Sequence, residues 1–220
     1  MRVITCTTRE ALSPEEGAVV GAAVSTGEVV LFPTDTLYGL GVDPCSPAAL
    51  ARLFRLKARD PGKPFPVLLA SASLVDRYAA AIPAPWRVLM RRFWPGPLTL
   101  IFPGIAGLPS GILSASGHVA LRVPGSALCR SVLRAAGGSL TGTSANLAGA
   151  GGTGNPEIAL RELGDGIGLF VNAGTLPPAQ ASTLLGRDAS GNMALLRAGT
   201  VPETDIRQAL EAASGELDVG

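Results

Sequence analysis

An α/β fold built on a mixed β-sheet is what this sequence predicts. Three observations carry that expectation. Apolar runs of strand length alternate with capped helical stretches along the whole chain. Several strands follow one another on short links, so antiparallel neighbours are expected among parallel ones. Apolar residues make up 47% of the 220, enough for a large core, while the 28 glycines and 18 prolines are scattered as turn punctuation.

The elements follow in order. Residues 3–7 read as a short strand. Ser13 caps a helix with Pro14 at its first position and Glu16 completing a capping box, and Gly27 ends it. Residues 28–32 form a buried strand that opens onto Thr34-Asp35-Thr36 and a turn with Gly39 and Gly41. Ser46-Pro47 starts a second helix to Lys57. "FPVLLA" is a strand, and helices are expected near 73–80 and 85–93. "PLTLIFP" and "HVALRVP" are strands, and a helix spans about 126–136. The next strand leads into "TGTSAN". Asn155-Pro156 opens a short helix. "GLFVNAG", "STLLGRD" and "MALLRAG" give three late strands, and a last helix covers about 203–212.

No composition break marks a linker and no internal repeat is found. One domain over 1–220 is expected, with its core at about 10–200, a frayed tail after about 212 and no additional C-terminal domain. The net charge of +1 excludes a broad nucleic-acid wrap on global grounds. Cys6, Cys45 and Cys129 lie far apart, in odd number and without metal spacing, which suits reduced thiols in a cytoplasmic protein. No stretch reaches about 18 apolar residues, so no membrane span is expected.

Positive charge comes almost wholly from arginine. The only two lysines, Lys57 and Lys63, both lie in "KARDPGK". Either chance or a need for a compact ammonium accounts for this. Leu50, Leu53, Phe54 and Lys57 share one helical face. Lys57 therefore either snorkels out at the helix C-terminus or aims a cation into a cavity. With Arg59 and Lys63 it makes a local anion site. Thr141, Thr143, Ser144 and Asn146 could cradle phosphate or ribose, or form an ordinary turn. The Thr34-Asp35-Thr36 stretch is either a plain loop or the floor of a pocket at a strand end. Arg122 and Arg197 follow strand alternation and are carboxylate clamps or solvated side chains. "GAGGTG" at 149–154 fits the dinucleotide pattern only formally, because its helix starts after the motif. Gly62-Lys63 lacks P-loop spacing. His118, the single histidine, has no nucleophile motif to serve and reads as structural.

Five segments in this order and spacing, "FPTDTLYGLGVD", "LKARDPGKPFPVLLA", "FWPGPLTLIF", "VALRVPG" and "TSANLAG", resemble the YrdC/TsaC family of threonylcarbamoyl-AMP synthases. The family's K-x-R…S-x-N signature corresponds to Lys57-x-Arg59 and Ser144-x-Asn146. The resemblance covers about residues 10–200. It implies a twisted α/β sheet with a large, positively lined concave cavity. It also implies formation of threonylcarbamoyl-AMP and pyrophosphate from L-threonine, bicarbonate or CO2, and ATP. Downstream proteins would transfer the threonylcarbamoyl group to tRNA, and a weak contact with tRNA is among the expectations. By the same resemblance Lys57 and Arg59 are catalytic, and with Lys63 they line the ATP phosphates. Thr34, Arg122 and Ser182, again with Lys63, hold threonine. Thr143, Ser144, Asn146 and Arg197 contact the nucleotide. No carboxylate cluster offers a metal cage, so Mg²⁺ is expected to ride on the ATP phosphates. Asp35 has no assigned role. The rival readings are an RNA-binding protein of the same fold, a carbamoyl-adenylating relative and a diverged paralogue.

Overall fold

The structure is a computed structural model that describes residues 1–6, 10–147, 152–188 and 190–215. In chain order the strands are β1 (Arg2–Thr5), β2 (Val30–Pro33), β3 (Tyr38–Gly41), β4 (Val67–Leu69), β5 (Leu98–Pro103) and β6 (His118–Arg122). They continue with β7 (Ser139–Thr141), β8 (Thr143–Ser144), β9 (Leu169–Asn172), β10 (Thr183–Arg187) and β11 (Met193–Arg197). The helices are α1 (Pro14–Ser25), α2 (Pro47–Lys57), α3 (Ala84–Phe93), α4 (Ala127–Ala135), α5 (Pro156–Leu163) and α6 (Glu203–Gly215).

The local signals act as their chemistry requires. Ser13 accepts from the Glu16 amide at 3.3 Å and the Glu16 carboxylate accepts from the Ser13 amide at 2.8 Å, closing the capping box. Ser46 and Asn155 cap α2 and α5, each followed by proline. Helix α6 runs to Gly215, beyond the expected end. The "GAGGTG" stretch falls partly outside the described residues.

The sheet is mixed, as expected, but it is two sheets rather than one. One runs β1-β9-β2-β3-β8 and the other β11-β10-β5-β6-β4-β7. In the first, β9 is parallel to β1 and β2, while β3 is antiparallel to β2 and β8. In the second, β10 is parallel to β5 and β4 to β6, and the remaining pairs are antiparallel. The chain passes directly from one to the other. β7 belongs to the six-stranded sheet, β8 to the five-stranded one, and only Gly142 lies between them. The larger core cluster draws on α2, α3, α5 and α6 through Leu53, Leu89, Leu163 and Ile206. The smaller one packs α1 and α4 against β2, β4 and β7 through Val20, Cys129, Phe32, Leu68 and Leu140.

Two expectations are corrected. Gly39 and Gly41 do not make a turn; they lie in β3, paired with Phe32 and Val30. A Cβ on Gly41 would meet Phe32 Cε1 at 2.7 Å and the Thr141 carbonyl at 2.9 Å, so close packing excludes a side chain there. The helix near 73–80 is a 3₁₀ stretch over Ala72–Arg77. The Ala80 amide donates to Pro103 O and the Ile105 amide to Tyr78 O, both at 2.9 Å. These tertiary bonds draw the chain onto the end of β5 before a full helix can form.

Candidate active site

A cavity of about 210 Å³ opens where the two sheets meet. The five-stranded sheet contributes Tyr38, Gly39, Thr143 and Ser144, with the Thr34–Leu37 turn beside them. The six-stranded sheet contributes Leu68, Thr99, Arg122 and Arg197. Among the described residues none of those lining it is acidic.

The turn after β2 is held by Thr34. Its hydroxyl accepts from the amides of Thr36 and Leu37, each at 3.1 Å, and lies 2.6 Å from the Leu37 carbonyl, to which it donates. The loop and the pocket floor, left as alternatives by the sequence, are one structure.

Arg122 is 4% exposed. Alternation along β6 sends Leu121 into the larger core and Arg122 to the opposite face, where Leu68 is its register partner. That face is covered, so the solvated reading of Arg122 does not hold. Its Nε donates to Gly96 O at 3.0 Å and its Nη1 to Thr36 Oγ1 at 3.4 Å, while Nη2 forms an ion pair with Asp35 Oδ1. Burial lowers the Arg122 pKa and Asp35 opposes that shift. The second Asp35 oxygen is buried without a hydrogen-bond partner among the described residues.

Arg197 reaches back to Ser182. Its Nε and Nη2 donate to Ser182 O at 3.0 and 2.8 Å, and Nη2 also to Ser182 Oγ at 3.0 Å. Ser182 Oγ in turn bonds Thr99 Oγ1 at 2.8 Å. Arg197 is exposed as a whole residue, yet partial desolvation of its guanidinium, then the nearby charge of Arg122, lowers its pKa. Two guanidinium groups therefore share this end of the cavity, and one of them, Arg122, is paired with Asp35.

Arg59 enters from another side. Helix α2 ends at Ala58, which adopts left-handed backbone at φ 47°. The chain swings there, so Lys57 stays with the packed face while Arg59 lines the cavity. Arg59 is fixed by Nε donating to Lys63 O at 2.7 Å, by Nη2 donating to Pro64 O at 3.3 Å, and by its stack 5.1 Å from the Phe65 ring centre.

Thr34, Arg59, Arg122, Thr143, Ser144, Ser182 and Arg197 are thus brought together around one cavity. Three expected residues are not on its wall. Lys63 is exposed on the Asp60–Pro64 turn, where its amide donates to Asp60 O at 3.0 Å. Lys57 is 2% exposed and neither snorkels nor lines the cavity. Asn146 is buried behind Ser144, its Nδ2 donating to Leu147 O at 2.6 Å.

Residues 22–199 match the family model for Sua5, YciO and YrdC proteins, described as "Telomere recombination". The chain belongs to the Sua5/YciO/YrdC family. It is 40% identical over 140 residues to the threonylcarbamoyl-AMP synthase of Thiobacillus denitrificans, covering 61% of this chain and 72% of that one. It is 32% identical over 196 residues to a putative threonylcarbamoyl-AMP synthase of Mycobacterium tuberculosis, covering 89% of each. Among solved structures it superposes on Pyrococcus abyssi Sua5 complexed with L-threonine with a TM-score of 0.88 and 26% identity. That match covers 95% of this chain but only 61% of the Pyrococcus protein.

In this Sua5/YciO/YrdC chain the residue that sequence reasoning left without a role is Asp35. A signal was present: an inward arginine on a covered strand needs a counter-ion, and Asp35 is the acid set in the pocket turn. Thr99 also lines the cavity without having been singled out, and so does Gly152, which was noted only within a formal glycine pattern. A Cβ on Gly152 would fall 2.7 Å from Leu37 Cδ1 and 3.0 Å from Ser144 Cβ, so only glycine lets this segment lie over Ser144.

Proposed function

We propose that the protein is a nucleotidyltransferase that forms threonylcarbamoyl-AMP and pyrophosphate from L-threonine, bicarbonate or CO2, and ATP. The observation that carries this reading is a cavity with three arginines and, among the described residues, no acid on its wall, in a chain similar to named synthases along most of its length. The match over 22–199 supports reading the chain as one domain of this family.

The reaction needs no covalent enzyme intermediate. The threonine amine adds to CO2, forming an N–C bond and releasing a proton, which gives a carbamate. A carbamate oxygen then attacks the α-phosphorus of ATP, and the bond to pyrophosphate breaks. Negative charge gathers on phosphate oxygens throughout, and fixed cations in a water-poor cleft stabilise it. Arg59 and Arg197, each braced by backbone carbonyls, fit that task. Arg122, braced by Asp35, suits the carboxylate of threonine. Thr143 and Ser144 offer hydroxyls and backbone groups to the nucleotide. Enclosure also protects the carbamate from loss of CO2.

No three His, Cys, Asp or Glu side chains cluster among the described residues, and Asp35 is engaged by Arg122. These residues do not fit a protein-built magnesium cage. Mg²⁺ would arrive on the ATP phosphates as part of the substrate. No helix among the described residues is long and apolar enough to cross a membrane. A cytoplasmic site of action, beside proteins that pass the threonylcarbamoyl group to tRNA, completes the reading.

The test is incubation of the protein with ATP, Mg²⁺, bicarbonate and each amino acid in turn, without RNA. A threonine-dependent adduct with the mass of threonylcarbamoyl-AMP, matched by pyrophosphate release, is expected. Absence of both from folded protein would overturn the proposal.

A further inference from the structure

Lys57 lies at the last turn of α2 with its side chain directed inward. Its Nζ donates to Ser144 O at 2.6 Å and also to Asn146 O. The same short loop is held at neighbouring peptide groups. The Ala145 amide donates to Tyr38 O at 2.9 Å, and the Asn146 amide to Ser144 O at 3.0 Å. The Leu147 amide donates to the Glu162 carboxylate at 3.3 Å. A cation and an anion from two different helices therefore grip consecutive parts of one loop, and the loop carries the Ser144 wall of the cavity.

We infer that Lys57 is a positioning residue whose ammonium clamps the Ser144–Leu147 loop to the end of α2 and thereby sets the wall presented to the nucleotide. The catalytic consequence rests on the synthase reading above; the clamp itself does not. On this account the two halves of the K-x-R…S-x-N pattern act as one mechanical unit. The lysine braces the serine–asparagine loop, and the arginine two residues on, past the left-handed Ala58, faces the cavity.

The chemistry favours lysine. Two carbonyl oxygens two residues apart converge on one point, which suits a compact tetrahedral ammonium. A planar guanidinium spreads its donors over a wider fork. The charged groups facing the ammonium are Arg59, from the loop after α2, and Glu162, from α5. Burial first and Arg59 second lower the Lys57 pKa to about 8, and Glu162 opposes them. A charged donor binds a carbonyl more strongly than a neutral amine does, so the clamp weakens as pH rises through that value.

Amide hydrogen exchange on the ligand-free protein tests this without reference to activity. In Lys57→Met, exchange at residues 145–147, corrected for intrinsic rate, should speed up at least about tenfold, with β2, β5 and β9 unchanged. Lys57→Arg should show a smaller change in the same residues, and it stands in if the Met variant does not fold. In the wild type the protection of 145–147 should fall between about pH 7 and pH 9, while Lys57→Met stays flat. Unchanged protection of 145–147 in the folded variants, with no pH step in the wild type, would overturn the clamp. It would leave Lys57 free to act as a direct ligand. If the exchange results hold but no adduct forms in any protein, the clamp stands and the synthase reading fails.

Discussion

Asp35 and Arg122 form a largely buried ion pair at the cavity wall, the aspartate from the turn after β2 and the arginine from β6. The pair ties one sheet to the other. It also leaves Arg122 two further anchors, at Gly96 O and Thr36 Oγ1.

Removing one partner of a buried pair strands the other charge, at a cost of about 3–5 kcal/mol. Asp35→Ala should therefore lower unfolding stability by about that amount, with Asp35→Asn milder because its amide can still accept from Arg122. The exposed pair of Arg207 and Glu203 in α6 gives the contrast. Arg207→Ala should cost no more than about 0.5 kcal/mol. Denaturant unfolding of the three variants checks the ranking, and equal losses at both pairs would contradict it.

The glycines of β3 give a second prediction. Gly41→Ala places a methyl against Phe32 and the Thr141 backbone and should cost about 1–3 kcal/mol by overpacking. In α1 the nearest atom to an added Cβ on Gly17 is 3.7 Å away. Gly17→Ala should instead stabilise by roughly 0.5–1 kcal/mol through helix propensity. Thermal melts read both signs.

Ala58 holds a left-handed conformation that costs an L-residue about 1–2 kcal/mol. Ala58→Gly should be neutral or mildly stabilising. Ala58→Val should be clearly destabilising and should also misplace Arg59. The midpoint of urea unfolding checks the first part. ATP affinity by calorimetry checks the second, with Val weaker than Gly.

The Lys57 pKa sets a pH trend in stability. The folded value is about 8 against 10.5 for an ordinary lysine, so between those values the unfolded chain holds the proton more tightly. Stability from this residue is fully present above about 10.5 and is lost as pH falls through 8. The difference in unfolding free energy between wild type and Lys57→Met should therefore shift in favour of wild type, by about 1–3 kcal/mol, as pH is raised across that window. A flat difference would show that the ammonium is not buried at a cost. Loop protection and global stability thus move in opposite directions with pH.

Much of this was legible in the sequence because the signals are local. Ser13 and Glu16, Ser46 and Pro47, and Asn155 and Pro156 mark helix starts through bonds made within four residues. The apolar face of α2 was read correctly, but Lys57 takes neither of the two courses left open for it and turns inward to a loop instead. What sequence could not supply was the partner at a distance. Gly39 and Gly41 looked like turn residues because the Phe32 ring and Thr141 carbonyl that exclude their side chains are brought in by pairing across strands. Lys63 looked like a site residue because it sits near Lys57 and Arg59 in sequence, yet the Asp60–Pro64 turn leaves it exposed. Asp35 had no role until β6 was folded beside it, 87 positions along the chain.

The passage from β7 to β8 through Gly142 has a consequence for dissection of the molecule. Leu68 Cγ lies 2.4 Å from where a Cβ on Gly142 would be, and the Gly142 amide donates to Pro66 O at 2.8 Å, so the strands fit together there like the two leaves of a book at its spine. One leaf carries Arg122 and Arg197, the other Tyr38, Thr143 and Ser144. A nick or circular permutation opened between Ser139 and Ser144 would unbind the volume and scatter both pages of the site, whereas new termini placed in the exposed Asp60–Lys63 turn would leave the spine intact.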